Sequence, residues 1–311
     1  LKNGILRCVG DPGERFREDA LRILRALRFA ARFGLTIEEK TAAALRENRE
    51  LLRNISPERI FSELKGILCA RGAGEMLLAF PEVFFVILPE LAPMRGFDTR
   101  RPQNHCWDVW GHTAHAVDAI APESVLRLTM LFHDSGKPET FRYDAQAGFG
   151  RFPGHPAVSA RIADAALRSL RCDNAARERV VMLVENHEMR TGHGKKDLRR
   201  LLAKIGEKNM RDLLLVRRAD AAAHAPEAAA RLTALADEDE RILHEITAER
   251  GCLHVKDLAV SGNDLLALGL KPGAAVGETL SRLLDLVLDE EAPNEKGALL
   301  AAARKEMQTH E

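Results

Sequence analysis

The chain has 311 residues, 46% of them hydrophobic and 30% charged, with Lys+Arg and Asp+Glu both at 46. A chain of this length can bury a substantial core in about two domains, and its zero net charge means that any nucleic-acid contact must come from local patches. Five cysteines (Cys8, Cys69, Cys106, Cys172, Cys252) stand far apart with no CxxC pair, which suits a reducing compartment and argues against a disulfide framework or a zinc ribbon. No apolar stretch is long enough to span a bilayer and no signal-like segment opens the chain, so the expectation is a soluble, cytoplasmic protein with no membrane partner. The start at Leu1 rather than Met, in "LKNGILRCVGDPGERF", gives the further expectation that an N-terminal part is missing.

Leu, Ala, Arg and Glu dominate and alternating β-branched runs are absent, so the expected fold is all-α. An unbroken helical pattern covers 14–33, with Leu21, Leu24, Leu27 and Phe29 on its apolar side and Gly34 as C-cap. Thr36 with Glu39 is expected to open a second helix, and "SPERI" at 56–60 a third with Pro57 in its first turn. The irregular "RGFDTRRPQNHCWDVWGH" marks a domain boundary near residue 104. Helices then follow near 107–120, 123–134, 156–170, 174–188, 195–204, 207–223 and 226–248, with "YDAQAGFGRFPGHP" as a long loop. The tail holds helices near 262–268 and 273–289 and another after "APNEKG".

The apolar run "LTMLFHDSGK" ends on His133 and Asp134, an odd pair for a core helix. Unpaired in the interior, a polar group there costs several kcal/mol, roughly 2–7 even when neutral, so Asp134 needs a cation. His112, His133, Asp134, His155, His187 and Asp220 follow one another in the order His, His-Asp, His, His, Asp. Imidazole nitrogen and carboxylate oxygen suit a divalent ion such as Mn, Ni, Mg, Fe or Zn, whose bound water becomes a nucleophile near neutral pH. Lys137, just past the helix end, is a candidate to hold a phosphate oxygen beside the catalytic His133 and Asp134. Taken singly, any of these residues is more often hydrogen-bonded or exposed than a ligand. His105, His193, His244, His254 and His310 read as ordinary surface or loop residues, and His115 and His224 at most as neighbours of the ligands. The ordered set resembles the HD-domain metal phosphohydrolases, whose signature is H…HD…D. That resemblance implies His112, His133, Asp134 and Asp220 as core metal ligands, and His155 and His187 as those that admit a second ion.

Residues 1–71 carry 15 Lys+Arg against 10 Asp+Glu, a local excess of 5. Arg22, Arg25, Arg28 and Arg32 recur at helical spacing, more charge than the interleaved Glu18 and Asp19 can pair, although a solvated amphipathic helix with internal ion pairs is the plainer reading. The stretch "RFREDALRILRALRFAARFG" resembles the neck helix of class II tRNA nucleotidyltransferases, the CCA-adding enzymes and bacterial poly(A) polymerases, with their EDxxR element as Glu18, Asp19 and Arg22. "NISPERIFSELKGIL", "FVILPEL" and the tail "LAVSGNDLLALGLKPGAAVGETLSRLLDLVLD" with "PNEK" extend the similarity over nearly the whole chain. The resemblance implies an elongated helical neck and body, an HD-type helical domain and a helical tail. It implies partners as well: tRNA, CTP and ATP, with a homodimer left open.

In the family, Asp19 and Arg22 act as a protein template for the incoming base, and Glu18, Arg15 and Arg25 are placed with them at the nucleotide site. Cytosine and adenine both present an amino donor beside a ring-nitrogen acceptor, whereas guanine and uracil present the reverse. A mismatched base therefore leaves buried groups unsatisfied, at about 1–3 kcal/mol each.

Nucleotidyl transfer in the family belongs to a head domain with a Gly-Ser turn and paired carboxylates that hold Mg. This sequence has no Gly-Ser dipeptide, and its Asp-x-Asp, Asp237 and Asp239, is expected on a solvated helical face. The expected division is 1–34 neck, 35–104 RNA-binding body, 105–226 HD domain and 227–311 tRNA-binding tail. Three functions remain open on sequence: the C-terminal portion of a nucleotidyltransferase with an HD site for phosphoester hydrolysis at RNA ends, a stand-alone HD nucleotide phosphohydrolase, and a non-catalytic tRNA-binding module.

Overall fold

A computed structural model describes residues 4–99, 106–188, 194–249 and 251–309. The boundary expected near residue 104, and His105, His193 and His310, lie outside the described residues. The fold is helical, as the composition requires. Close packing divides it into two compact units, 1–189 with 212–234, and 190–211 with 235–311.

In the first unit, β1 (Ile5–Leu6) is followed by α1 (Pro12–Glu18), α2 (Leu21–Phe33), β2 (Thr36–Ile37), α3 (Glu39–Glu47), α4 (Pro57–Leu68), α5 (Ala73–Ala79) and α6 (Pro81–Ile87). The single helix expected over 14–33 is broken. Asp19 is extended (φ −150°, ψ 101°), and its side chain accepts the Leu21 N–H at 3.1 Å. A short acidic side chain that bonds nearby backbone competes with the helical ladder, and here it starts α2 anew. Gly34 ends α2 in the left-handed conformation (φ 61°), as expected of a C-cap. Thr36 opens no helix: Thr36 and Ile37 pair in parallel with Ile5 and Leu6, and α3 starts behind Glu38.

The apolar side of α2 (Ile23, Leu24, Leu27) is fully buried, and α2 packs on α4 while α4 packs on α8 (Ser124–Phe132). α5 lies along α7 (Val109–Ala119) at Gly74. Asp118 accepts the Gly74 N–H at 2.9 Å and pairs with the buried Arg127 at 3.3 Å, which ties α5, α7 and α8 together. Next come α9 (Lys137–Thr140), β3 (Arg142–Asp144) and β4 (Phe149–Arg151), an antiparallel hairpin where a plain loop was expected. Gly150 permits it, because a Cβ there would sit 2.5 Å from both the Phe141 ring and the Thr99 carbonyl. α10 (His155–Ser169) and α11 (Asn174–Asn186) pack on each other and on α8.

The second unit holds α12 (Gly194–Ile205), α15 (Gly262–Ala267), α16 (Ala274–Leu288) and α17 (Lys296–Thr309) around Val260, Leu265, Leu283, Leu299 and Ala303. α13 (Glu207–Ala222) and α14 (Pro226–Ala248) run through the division between the units. On α14 Asp237 is exposed, but Asp239 is buried, so the Asp-x-Asp is not a uniformly solvated face. Residues two apart on a helix point about 200° apart, and one of them must face inward. No described helix is long and apolar enough to cross a membrane.

A Cβ at Gly74 would lie 2.4 Å from the Ala114 carbonyl and 2.5 Å from the Asp118 carboxylate. We predict that Gly74→Ala destabilises the first unit by about 1–3 kcal/mol, the usual cost of overpacking. Denaturant titration tests this, and a loss within error of zero contradicts the tight α5–α7 approach.

Candidate metal centre and base-template site

Five helices bring their ends to one point. Asp108 caps α7 through the Gly111 N–H (2.6 Å) and sets His112 in its first turn. The apolar run of α8 is buried throughout, and His133 follows as its C-cap. Ser135 Oγ donates to the Phe132 carbonyl (2.8 Å), and the Gly136 N–H donates to Ser159 Oγ (2.8 Å), which fixes the α8 end to α10. A Cβ at Gly136 would lie 2.7 Å from the His155 carbonyl, so only glycine lets α10 start this close. Gly154 (φ 73°) turns the chain into α10 at His155, His187 ends α11, and Asp220 lies in the last turn of α13.

The six residues expected to bind metal converge on Asp134, which is 2% exposed. His112 and His133 Nε2 lie 3.6 and 3.4 Å from Asp134 Oδ2, while His155 and His187 Nε2 lie 3.3 and 3.8 Å from its Oδ1. Asp220 Oδ1 joins the first group, 2.8 Å from His112 and 3.5 Å from His133. The carboxylate thus stands between two histidine pairs. Asp220 is 29% exposed and is the most solvent-accessible of the six.

The donor set fits a cation. His112, His133, His155 and His187 each direct Nδ1 at a backbone carbonyl, those of Ala223, Met130, Phe152 and Val184, at 2.6–3.2 Å. A carbonyl only accepts, so Nδ1 carries the proton and Nε2 faces inward, the arrangement by which outer partners orient metal-binding imidazoles. Two Nε2 pairs then face one another at 3.3 Å, His112 with His133 and His155 with His187. Facing lone pairs repel unless a proton or cation lies between them. Ligand atoms about 2.1 Å from one ion stand roughly 3–3.5 Å apart, the spacing found here.

Electrostatics agree with this picture. Burial alone opposes charge on His133, but Asp134 and Asp220 outweigh it and raise its pKa to about 10. Burial likewise opposes ionisation of Asp134, where His133 and Lys137 win, and of Asp220, where His112 and His133 win; both carboxyls titrate well below the usual range. Burial lowers His187, which stays neutral. In the metal-free molecule a proton on His133 therefore does part of a cation's work. Lys137, the candidate to hold a phosphate oxygen, is buried and its Nζ pairs with Asp134 Oδ2 at 2.6 Å.

The arginine-rich front is arranged differently. Because Asp19 stands in the break between α1 and α2, it and Arg22 do not share a helical face. Arg22 donates to Glu18 (2.6 Å) and to the Arg15 carbonyl (2.9 Å), and Arg15 also pairs with Glu18 at 3.0 Å. Asp19 is 3.5 Å from Arg59 of α4. Arg28 pairs with Glu63 (2.6 Å), and Arg25 is exposed. Arg17, Glu18, Asp19, Ala20, Leu51, Asn54, Ile55 and Arg59 line a cavity of about 350 Å³, into which Arg15, Arg22 and Arg25 do not project.

Arg59 was read only as part of a family-like segment, and nothing local signals its partner forty positions away. His224, read at most as a neighbour of the ligands, lies edge-on to His112 with ring centroids 4.8 Å apart. His244 and His254 are exposed, as expected.

Comparison with known proteins agrees along the chain. Residues 34–94 match the family model "Probable RNA and SrmB-binding site of polymerase A", and residues 157–303 match that of tRNA nucleotidyltransferase domain 2. The chain is 34% identical to the CC-adding tRNA nucleotidyltransferase of Thermus thermophilus, over 88% of this chain and 63% of the relative. It is 30% identical to the A-adding tRNA nucleotidyltransferase of Deinococcus radiodurans, over 92% of this chain and 67% of the relative. The solved structure of the Bacillus stearothermophilus CCA-adding enzyme, in complex with CTP, shares the fold (TM-score 0.66, 22% identity, 99% of this chain and 67% of that one). The chain belongs to the tRNA nucleotidyltransferase family of class II CCA-adding enzymes. It spans about two thirds or less of the length of these relatives.

Metal binding must displace the His133 proton. Without metal, that raised pKa stabilises the fold fully below about 6.5, and the contribution is lost as pH rises through about 10. We predict that Mn or Zn affinity climbs between about pH 7 and 9, by up to about tenfold per unit as one proton is released. Chelator competition at several pH values tests this, and a pH-independent affinity contradicts the cluster as the binding site.

Proposed function

We propose that the chain is the base-selecting and RNA-holding portion of a tRNA nucleotidyltransferase that builds or repairs the tRNA 3′-terminal CCA from CTP and ATP. The observation that carries this reading is similarity to CC-adding and A-adding relatives along 88–92% of the chain. The catalytic head with its Mg-holding carboxylates belongs, in this reading, to the part of those relatives that the chain does not span. Asp19 offers an acceptor at the cavity wall and Arg22 a donor fork just beside it, held by Glu18 until a base competes for it. That exposed ion pair is weak, so exchanging it for a base edge costs little. The excess of arginine and lysine in the first 71 residues favours the tRNA backbone as partner. A cytoplasmic location follows from tRNA as substrate.

We predict that the chain fused to the head of the Thermus relative incorporates CTP and ATP over UTP and GTP. Arg22→Ala should narrow that preference by about 1–3 kcal/mol. Primer-extension ratios for all four nucleotides read it out, and unchanged ratios overturn the template role.

A second activity, metal-dependent phosphoester hydrolysis at RNA ends, is favoured by the buried His–Asp cluster. His112, His133, Asp134 and Asp220 would hold one divalent ion, and Asp134, His155 and His187 a second. Such an ion supplies Lewis acidity toward a phosphoryl oxygen. Lys137 keeps Asp134 oriented, and the partly exposed Asp220 marks the side from which a phosphate would approach. We predict Mn- or Ni-stimulated hydrolysis of a generic aryl phosphate or of a 2′,3′-cyclic nucleotide, reduced at least a hundredfold (about 2.7 kcal/mol) in Asp134→Asn. Equal rates in the folded variant would refute it.

A further inference from the structure

We propose that Trp107 and His115 form a stacking platform for the nucleobase that neighbours the phosphate at the His–Asp cluster. The hydrolase reading above enters only through the place of the phosphate, and the stacking contact stands on its own observations.

The first is an exposed indole held in place. Trp107 is 50% exposed, whereas Trp110, three residues on, is 3% exposed. Leaving an indole in water forgoes a large apolar burial. Its ring lies over that of His115, with centroids 4.4 Å apart and planes 33° from parallel. A Cβ at Gly111 would stand 3.0 Å from Trp107 Cβ, so glycine lets the residue fold closely onto the first turn of α7. One face of the indole is therefore taken by imidazole, and the opposite face accounts for the exposure. A flat ring fixed in this way accepts any base, because every base has a π-face.

The second is an unpaired nitrogen. His115 Nε2 is buried and has no hydrogen-bond partner. Such an atom destabilises the fold, and a phenyl ring would support the indole without that cost. Among the described residues, His115 also joins none of the groups of potential metal ligands. Neither hydrogen bonding nor metal binding accounts for its place, whereas the contact with Trp107 does.

The third is location. His115 follows His112 by three positions on α7, so their side chains are neighbours, about 5–6 Å apart at Cβ. His112 Nε2 in turn faces Asp134 and Asp220. The platform is thus one side chain removed from the cluster, a separation that the base and phosphate of one nucleotide can span. It favours a phosphate that carries a nucleobase, on a free nucleotide or at an RNA end, over a bare phosphomonoester.

Trp107 is its own probe. Trp110 is sealed and its Nε1–H donates to the Leu77 carbonyl at 3.1 Å, so a base stacking at the surface quenches Trp107. Titration of the full chain in EDTA with adenosine 2′,3′-cyclic phosphate should give saturable quenching, and ribose 5-phosphate should give none. In Trp107→Leu the residual emission should not respond, and calorimetry should show affinity for the nucleotide reduced about tenfold or more, while Trp107→Phe stays within about threefold of wild type. His115→Phe keeps a ring beneath the indole and should retain the quenching. Tighter binding of an oligoadenylate that ends in the cyclic phosphate assigns the platform to RNA ends, and equal binding assigns it to free nucleotides. The proposal is overturned by the absence of saturable quenching, by equal quenching with ribose 5-phosphate, or by unchanged affinity in Trp107→Leu. Mn, with the signal read before turnover, should tighten binding by drawing in the phosphate. Quenching that Mn leaves unaltered sinks the metal-centre reading and leaves the platform standing.

Discussion

The first compact unit is organised around a carboxylate that is buried because five helix ends close over it. Asp134 is 2% exposed, and an isolated ionised group in such a place costs far more than the fold can spare. It is tolerated because Lys137, His112, His133, His155 and His187 all direct polar atoms at it within 3.8 Å. Each histidine is in turn held by a backbone carbonyl at a helix end or in an adjoining turn. The cluster therefore depends on where α7, α8, α10, α11 and α13 begin and end; Asp108 sets the start of α7, Ser135 and Gly136 the end of α8, and Gly154 the start of α10.

The front helices reach the same unit by ordinary packing. α2 buries its leucines on α4, and α4 rests on α8, whose end carries His133. One continuous apolar path thus links the arginine-rich front helices to the His–Asp cluster. The two sites nevertheless hold charge by opposite rules. Around Asp19 and Arg22 the ion pairs are solvent-exposed, individually weak and exchangeable. Around Asp134 they are sealed, and removing one partner strands the rest.

Much of this was legible in the sequence because its signals are local. Helix positions followed from apolar spacing, Gly34 from the demand for a left-handed C-cap, and the convergence of the His and Asp side chains from an ordered set of residue types with few alternative uses. Three features were not legible. The break at Asp19 depends on whether its side chain takes the Leu21 N–H, a competition that periodicity cannot decide. The hairpin at 142–151 is built from short strands with a glycine that matters only for its approach to Phe141 and Thr99. The ion pair of Lys137 with Asp134 was not read either, since nothing in "HDSGK" says that the ammonium turns to the carboxylate three residues back. Each is a choice between a local bond and a longer-range one, and tertiary contacts made it.

Asp134 is proposed to stand between two cation positions. Anomalous scattering from crystals grown with Mn, recorded above the Mn absorption edge, tests it most directly. Peaks are expected on both sides of Asp134, one within coordination distance of His112 and His133 and one within that of His155 and His187. An ordered cluster with no anomalous peak would contradict it and leave the His133 proton and Lys137 as the only charges that hold Asp134.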